Sequence, residues 1–179
     1  RDKKKLFETV KKYEPEFVFH LAAQSLVRNS YENPLDTFDV NVLGTANMLE
    51  AIRFSSSVKV GLIMTSDKCY DNKINHRPHV EDDPMGGIDP YSASKGAAEL
   101  ITSSYNDSFF NAIDDRAAIS TIRAGNILGG GDWAKDRIVP DSINAIIKNQ
   151  NIQIRNPDSI RPWQYVLEPI SGMLWLARK

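Results

Sequence analysis

A single cysteine, Cys69, stands among 179 residues, so no disulfide can close within the chain. That scarcity suits a reducing cytoplasm and excludes the disulfide-stapled secreted folds. No apolar run approaches the roughly 20 residues of a membrane span, and the N-terminus lacks the apolar centre of a signal peptide. Net charge is missing too: 22 Lys and Arg stand against 23 Asp and Glu. Nothing therefore steers the whole chain towards nucleic acid or an anionic membrane. Of the 3 histidines, His76 and His79 sit in a polar loop without metal-ligand spacing, and no metal is expected. Absent as well is G-x-G-x-x-G after the first strand, with its acidic residue about 20 positions later. The "GGGDW" at 129–133 has the wrong spacing and follows a late strand.

What remains is an ordinary apolar and charged fraction, enough for one domain with a sizeable core. Leu6, Phe7, Val10 and Tyr13 recur at helical spacing, and Pro15 closes that helix. "EFVFHL" (16–21), "VKVGLIMTS" (58–66) and "AAISTIRAG" (117–125) are short apolar runs that predict buried strands. Between them the pattern predicts helices over 35–54 and 91–109, the second opened by Pro90. A further helix is expected around 138–149, and short strands at "IQIR" (152–155) and "QYVL" (164–167). Helices alternating with buried strands imply an α/β fold, a doubly wound parallel sheet. The chain opens inside a helix without an initiator Met and stops inside the apolar "GMLWLARK". It is expected to be an internal piece of a longer protein, with any pyrophosphate-binding loop upstream of Arg1.

Tyr91 and Lys95 form Y-x-x-x-K at the start of a helix, four apart and so on one face. A nearby ammonium favours the phenolate, which suits Tyr91 to taking a proton from an alcohol. Alone the motif is weak, and a surface Tyr–Lys pair is its ordinary alternative. Ser66 ends a buried strand, where open α/β sheets form their binding crevice. Beside it stand Asp67 and Lys68, in "TSDKCY" (65–70).

Ser66, Tyr91 and Lys95 together resemble the site of the short-chain dehydrogenases/reductases. "HLAAQS" (20–25), "NVLGTANMLEA" (41–51), "RAGNILGGGDW" (123–133) and "RPWQYV" (161–166) resemble segments of the extended, nucleotide-sugar branch. Within it, "DPMGGIDPYSASKG", "GNILGGGDWAKDRIVPD" and "RNPDSIRPWQYVLEP" resemble the 4,6-dehydratases that act on CDP-glucose. The resemblance runs over essentially the whole chain. It implies a Rossmann-like fold missing its first strands: residues 1–150 as part of an NAD-binding domain and 151–179 as the start of a sugar-binding part.

The resemblance also assigns roles. NAD is the implied cofactor, beside Leu21, Ala22, Ala23, Tyr91 and Lys95. CDP-glucose is the implied substrate, with Asn126, Arg137 and Arg161 at its nucleotide or diphosphate. Ser66, Tyr91 and Lys95 would serve oxidation at C4, while Asp67 and Lys68 would serve loss of water across C5 and C6. Lys68 stands where related dehydratases have Glu, and acts either as a neutral base or as an ammonium that stabilises the enolate. A homodimer through the helices at 35–54 and Tyr91 is implied for the intact protein. Another nucleotide-sugar epimerase or dehydratase is the alternative, as is a non-catalytic domain for the piece by itself.

Overall fold

The computed structural model describes residues 1–71, 77–111 and 116–179, so His76 lies outside the described residues. The Asp2 carboxylate accepts the Lys5 amide at 2.9 Å and caps helix α1 (Lys3–Tyr13). Glu14 ends it in the left-handed region, at φ 44°, ahead of Pro15. Strand β1 (Phe17–His20) follows, then two short helices, α2 (Val27–Glu32) and α3 (Pro34–Phe38). The helix expected over 35–54 is not one regular helix. A π-helical turn, Asp39–Leu43, interrupts it before α4 (Gly44–Arg53), and α2 was not anticipated at all.

After strand β2 (Val60–Met64) comes a 3₁₀ turn, Asp67–Cys69, and then the long helix α5 (Pro90–Tyr105). Asp89 caps α5 by accepting the Ser92 amide at 3.0 Å, with Pro90 in its first turn. A second π-helical turn, Asn106–Phe110, leads towards strand β3 (Ala118–Ile122).

The sheet runs β1-β2-β3 and is parallel throughout, with Phe19 opposite Leu62 and Ile63 opposite Thr121. Alternation along β2 assigns its two faces. Ile63 joins Val10, Leu49, Ile52, Phe110 and Ile119 in the larger core, beneath α1, α4 and the end of α5. Leu62 turns the other way, against Met173 and Ala177 of helix α7 (Leu167–Arg178). Helices thus cover both faces of a parallel sheet, as expected of a doubly wound fold.

Contacts divide the chain into two units: residues 1–124 with 172–179, and residues 125–171. The second holds strand β4 (Asn126–Leu128), helix α6 (Ile138–Ile147) and strand β5 (Trp163–Tyr165), with β4 and β5 parallel. Asn126 therefore opens a strand. "IQIR" forms none, because β4 takes β5 as its partner and leaves 152–155 unpaired. "QYVL" is a strand only through Tyr165, and α7 begins at Leu167.

Leu49 is fully buried in the larger core. Leu49→Ala in the full-length protein is expected to cost about 2–5 kcal/mol in denaturant unfolding.

Candidate active site

The pairing of β2 with β3 continues past its last residue. The Thr65 amide donates to the Ile122 carbonyl at 2.9 Å and the Asp67 amide to Ala124 at 3.2 Å. Ser66, fully extended between them, is buried, and its hydroxyl caps the 3₁₀ turn by accepting the Lys68 amide at 3.2 Å. The same hydroxyl donates to Asp67 Oδ1 at 3.1 Å. Ser66, Asp67 and Lys68 therefore share one rigid turn at the C-terminal end of the central strand.

This turn rests directly on α5. Gly96 permits the approach: a Cβ there would lie 2.7 Å from the Gly86 carbonyl oxygen. The Gly86 amide in turn donates to the Cys69 carbonyl at 2.8 Å, and Asp71 to Pro84 at 2.8 Å. Gly87, at φ 130°, turns the chain into α5 where a side chain would meet the Ala93 backbone. Cys69 is fully buried, and burial followed by the charge of Glu99 pushes its thiol up to about 12. It is a packing residue and not a nucleophile.

The first turn of α5 is held from several sides. The Tyr91 amide donates to Ser30 Oγ of α2 at 3.1 Å. Ser94 Oγ donates to the Tyr91 carbonyl at 2.7 Å and accepts from Asn41 Nδ2 at 2.8 Å. Asn41, within the π-helical turn, also exchanges hydrogen bonds with the Gln24 backbone at 2.8 and 3.0 Å. Tyr91 and Lys95 are both buried by this arrangement. Lys95 Nζ donates to the Met64 carbonyl at 3.0 Å. Burial lowers its pKa from 10.5 to about 8, with the charge of Glu99 opposing the shift. Lys68 Nζ lies 5.9 Å from the centroid of the Tyr91 ring. The structure thus brings Ser66, Asp67, Lys68, Tyr91 and Lys95 to one place: a hydroxyl, a carboxylate, a phenol and two amines at a strand end.

Leu21, Ala22 and Ala23 follow the C-terminal end of β1, and Leu21 and Ala22 are exposed. Ala22 lines a cleft of about 190 Å³, with His20, Val40, Gly44 and Asn47 among its walls. His20, at the end of β1, is buried with Nε2 lacking a partner among the described residues. Burial and then the charge of Lys95 lower its pKa to about 4. Small residues, a cleft and an unsatisfied ring nitrogen fit a dinucleotide beside Leu21–Ala23.

The three residues expected at the nucleotide lie in the second unit. Asn126 donates its amide to the Pro162 carbonyl at 3.0 Å, which places it near Arg161 in the β4–β5 pair. Arg161 is exposed, with Nη1 donating to the Ile160 carbonyl at 2.9 Å. Arg137 precedes α6 and pairs with Asp132 at 2.9 Å. Two further groups escaped sequence reasoning. Buried Glu99 and half-buried Arg123 form an ion pair at 2.8 Å, with Glu99 one turn after Lys95 on α5. Asp83, also buried, holds Arg77 and His79, and the His79 ring stacks on Tyr70 with centroids 4.5 Å apart. The i, i+4 spacing of Lys95 and Glu99 was the available signal.

The profile of the GDP-mannose 4,6 dehydratase family matches residues 1–179. The chain belongs to that family. Among curated relatives of this dehydratase-family chain, it is 49% identical over its whole length to the CDP-glucose 4,6-dehydratase of Salmonella typhimurium, covering 51% of that protein. It is 31% identical, over 83% of its length, to a putative UDP-glucose 4-epimerase of Methanocaldococcus jannaschii, covering 47% of it. The chain thus spans about half the length of these relatives. Among solved structures, a dTDP-glucose 4,6-dehydratase of Streptomyces venezuelae with NAD bound superposes with a TM-score of 0.85 at 20% identity, over 98% of this chain and 52% of that one. A UDP-N-acetylglucosamine 4-epimerase from Methanobrevibacter ruminantium superposes equally well, at 0.85 and 23%, over 100% and 56%. At those identities the likeness establishes the fold that the dehydratase-family chain shares with them.

Because His20 is neutral in the folded protein down to about pH 4, the unfolded state binds the extra proton first as pH falls below 6.5. Stability is therefore expected to be full above about pH 6.5 and to fall towards pH 4. His20→Gln should reduce that loss by about 2 kcal/mol in unfolding curves taken across the window.

Proposed function

We propose that the intact protein is a lyase that converts CDP-glucose to CDP-4-keto-6-deoxyglucose with NAD, in the cytoplasm and as a homodimer. The observation that carries this reading is the turn Ser66–Lys68 lying over Tyr91 at the end of β2. It joins a dehydrogenation site to an acid–base pair suited to elimination. The 49% identity to a relative of that activity supports the nucleotide and the sugar.

NAD, when bound beside Leu21, Ala22, Ala23, Tyr91 and Lys95, supplies the acceptor and later the donor of hydride. The chain supplies proton transfer and position. Tyr91 Oη takes the proton of the 4-hydroxyl, with the Lys95 ammonium stabilising the phenolate and Ser66 Oγ orienting the oxygen. A ketone at C4 acidifies the C5 proton. As a neutral amine Lys68 Nζ would accept that proton while the Asp67 carboxylic acid protonates the departing 6-oxygen; with Lys68 an ammonium that stabilises the enolate, the Asp67 carboxylate would take the C5 proton and pass it to that oxygen as water leaves. Asn126, Arg137 and Arg161 would hold the nucleotide diphosphate, for which a guanidinium offers paired donors. An epimerase is the second reading, favoured by the relative named a UDP-glucose 4-epimerase.

Incubation of the full-length protein with CDP-glucose and NAD in heavy water separates the two. A dehydratase places solvent deuterium at C5 of a 4-keto-6-deoxy product. Inversion at C4 without deuterium at C5 would establish the epimerase instead. Lys68→Met is expected to slow dehydration by roughly 10²-fold or more while nucleotide affinity stays nearly unchanged. Near-normal turnover would remove Lys68 from the mechanism.

A further inference from the structure

Asp83 is buried, although it lies in sequence between the Ser66–Lys68 turn and α5 and outside any helix or strand. Its carboxylate accepts from Arg77 Nη1 at 3.0 Å and Nη2 at 2.5 Å. It accepts as well from His79 Nδ1 at 3.0 Å and the Val80 amide at 3.1 Å. The Asp83 amide donates back to the Val80 carbonyl at 3.1 Å and closes a tight turn, Val80–Asp83. One carboxylate thus fixes the His79 ring. That ring lies flat on Tyr70, with planes 1° apart and centroids 4.5 Å apart. Tyr70 is buried, and its hydroxyl accepts from Arg123 Nη1 at 2.9 Å. The same Nη1 donates to the Glu81 carbonyl at 2.7 Å, so Arg123 ties Tyr70 to the turn that carries Asp83. Arg123 is itself held by Glu99, through Nε at 3.0 Å and Nη2 at 2.8 Å.

Asp83, His79 and Tyr70 take no part in the chemistry proposed above, yet they converge on the residue that follows the Asp67–Cys69 turn. That turn is held at two ends. Its leading end belongs to the β2–β3 ladder, through the Thr65 and Asp67 amides. Its trailing end has the bonds from Gly86 to Cys69 and from Asp71 to Pro84, with Tyr70 between them bridging to Met85. So short a pairing is marginal by itself. Lys68 lies between the two ends, with Nζ 5.9 Å from the centroid of the Tyr91 ring. We propose that Tyr70 is a positioning residue for Asp67 and Lys68. Stacked on a His79 ring that Asp83 holds, and tethered at its hydroxyl by Arg123, it fixes the trailing end of the turn. A misplacement of about 1 Å in a reacting group can cost about 10²-fold in rate. Ser66, on the ladder side, is disturbed less than Lys68 when the trailing end is loosened.

The inference rests on reading Asp67 and Lys68 as the acid–base pair of elimination, and its test separates that step from oxidation at C4. In a single turnover of the full-length protein with NAD and CDP-glucose, the absorbance of reduced nicotinamide reports oxidation. Quenched samples report the 4-keto-6-deoxy product. His79→Ala, a substitution outside both hydrophobic clusters, is expected to slow product formation about 10-fold or more, with oxidation held within about twofold. His79→Phe, which restores a flat face, should recover most of that loss. Equal slowing of both steps, or slowing of neither, overturns the proposal, as does a His79→Phe no faster than His79→Ala. Amide hydrogen exchange reads the turn itself, without substrate. Loss of the stack should speed exchange at the Cys69 and Asp71 amides by roughly 2- to 10-fold, and unchanged rates overturn the proposal. If the wild-type protein forms no 4-keto-6-deoxy product, the dehydratase reading fails, and the exchange rates alone then decide whether Tyr70 holds the turn.

Discussion

A carboxylate taken out of water must find hydrogen-bond donors, and the fold around Glu99 is organised by that requirement. Desolvating it costs several kcal/mol unless its oxygens are filled and a counter-charge lies alongside. The donors come from the end of β2, the end of β3 and the segment just beyond β3. None of these is local to α5. The ends of two strands and the middle of one helix must therefore meet in one register before the charge is satisfied. A slip of either strand by one residue would turn Thr65 or Thr121 to the opposite face and leave the carboxylate short of donors.

The residues proposed for the chemistry lie at the same meeting point. Lys95 and Glu99 lie along one side of α5, and the turn Ser66–Lys68 is pressed onto the same helix because Gly96 presents no side chain there. The Tyr91 amide and carbonyl are bonded by Ser30 and Ser94, which fixes the first turn of α5 against α2 and the π-helical turn. Electrostatics follow from the same crowding. Burial lowers the pKa of Lys95, and burial followed by the charge of Lys95 lowers that of His20.

Much of this was legible in the residues. The three strands of the main sheet and the helix opened by Pro90 follow from apolar runs and helical spacing, while the grouping of Ser66, Asp67, Lys68, Tyr91 and Lys95 was implied by the family resemblance. What escaped was tertiary. A glutamate one turn after a lysine reads equally well as a solvent-facing pair, and only the three-dimensional meeting of Thr65, Thr121 and Arg123 buries Glu99. "IQIR" alternates like a strand yet finds no neighbouring ladder, whereas the three residues of β4 form a strand because β5 pairs with them. Pairing partners lie far apart in sequence, so short strands are decided by contacts that periodicity does not encode. The roles of Asn126, Arg137 and Arg161 rest on resemblance, since exposed arginines with local partners carry no geometric signature of a ligand.

The π-helical turn at Asp39–Leu43 accommodates one residue more than an α-helix would over the same rise. Asn41, inside it, supplies the bonds that reach Gln24 and Ser94. The helix therefore serves two faces: one ahead of the wide turn, directed at α5, and one behind it, directed at the sheet. The wide turn absorbs that extra residue, so the residues after it keep their phase and Leu49 and Ile52 stay on the core face. Excising one residue from 39–43 would restore ideal winding with that phase kept, and what it would remove is the bridge from Asn41 to Gln24 and Ser94.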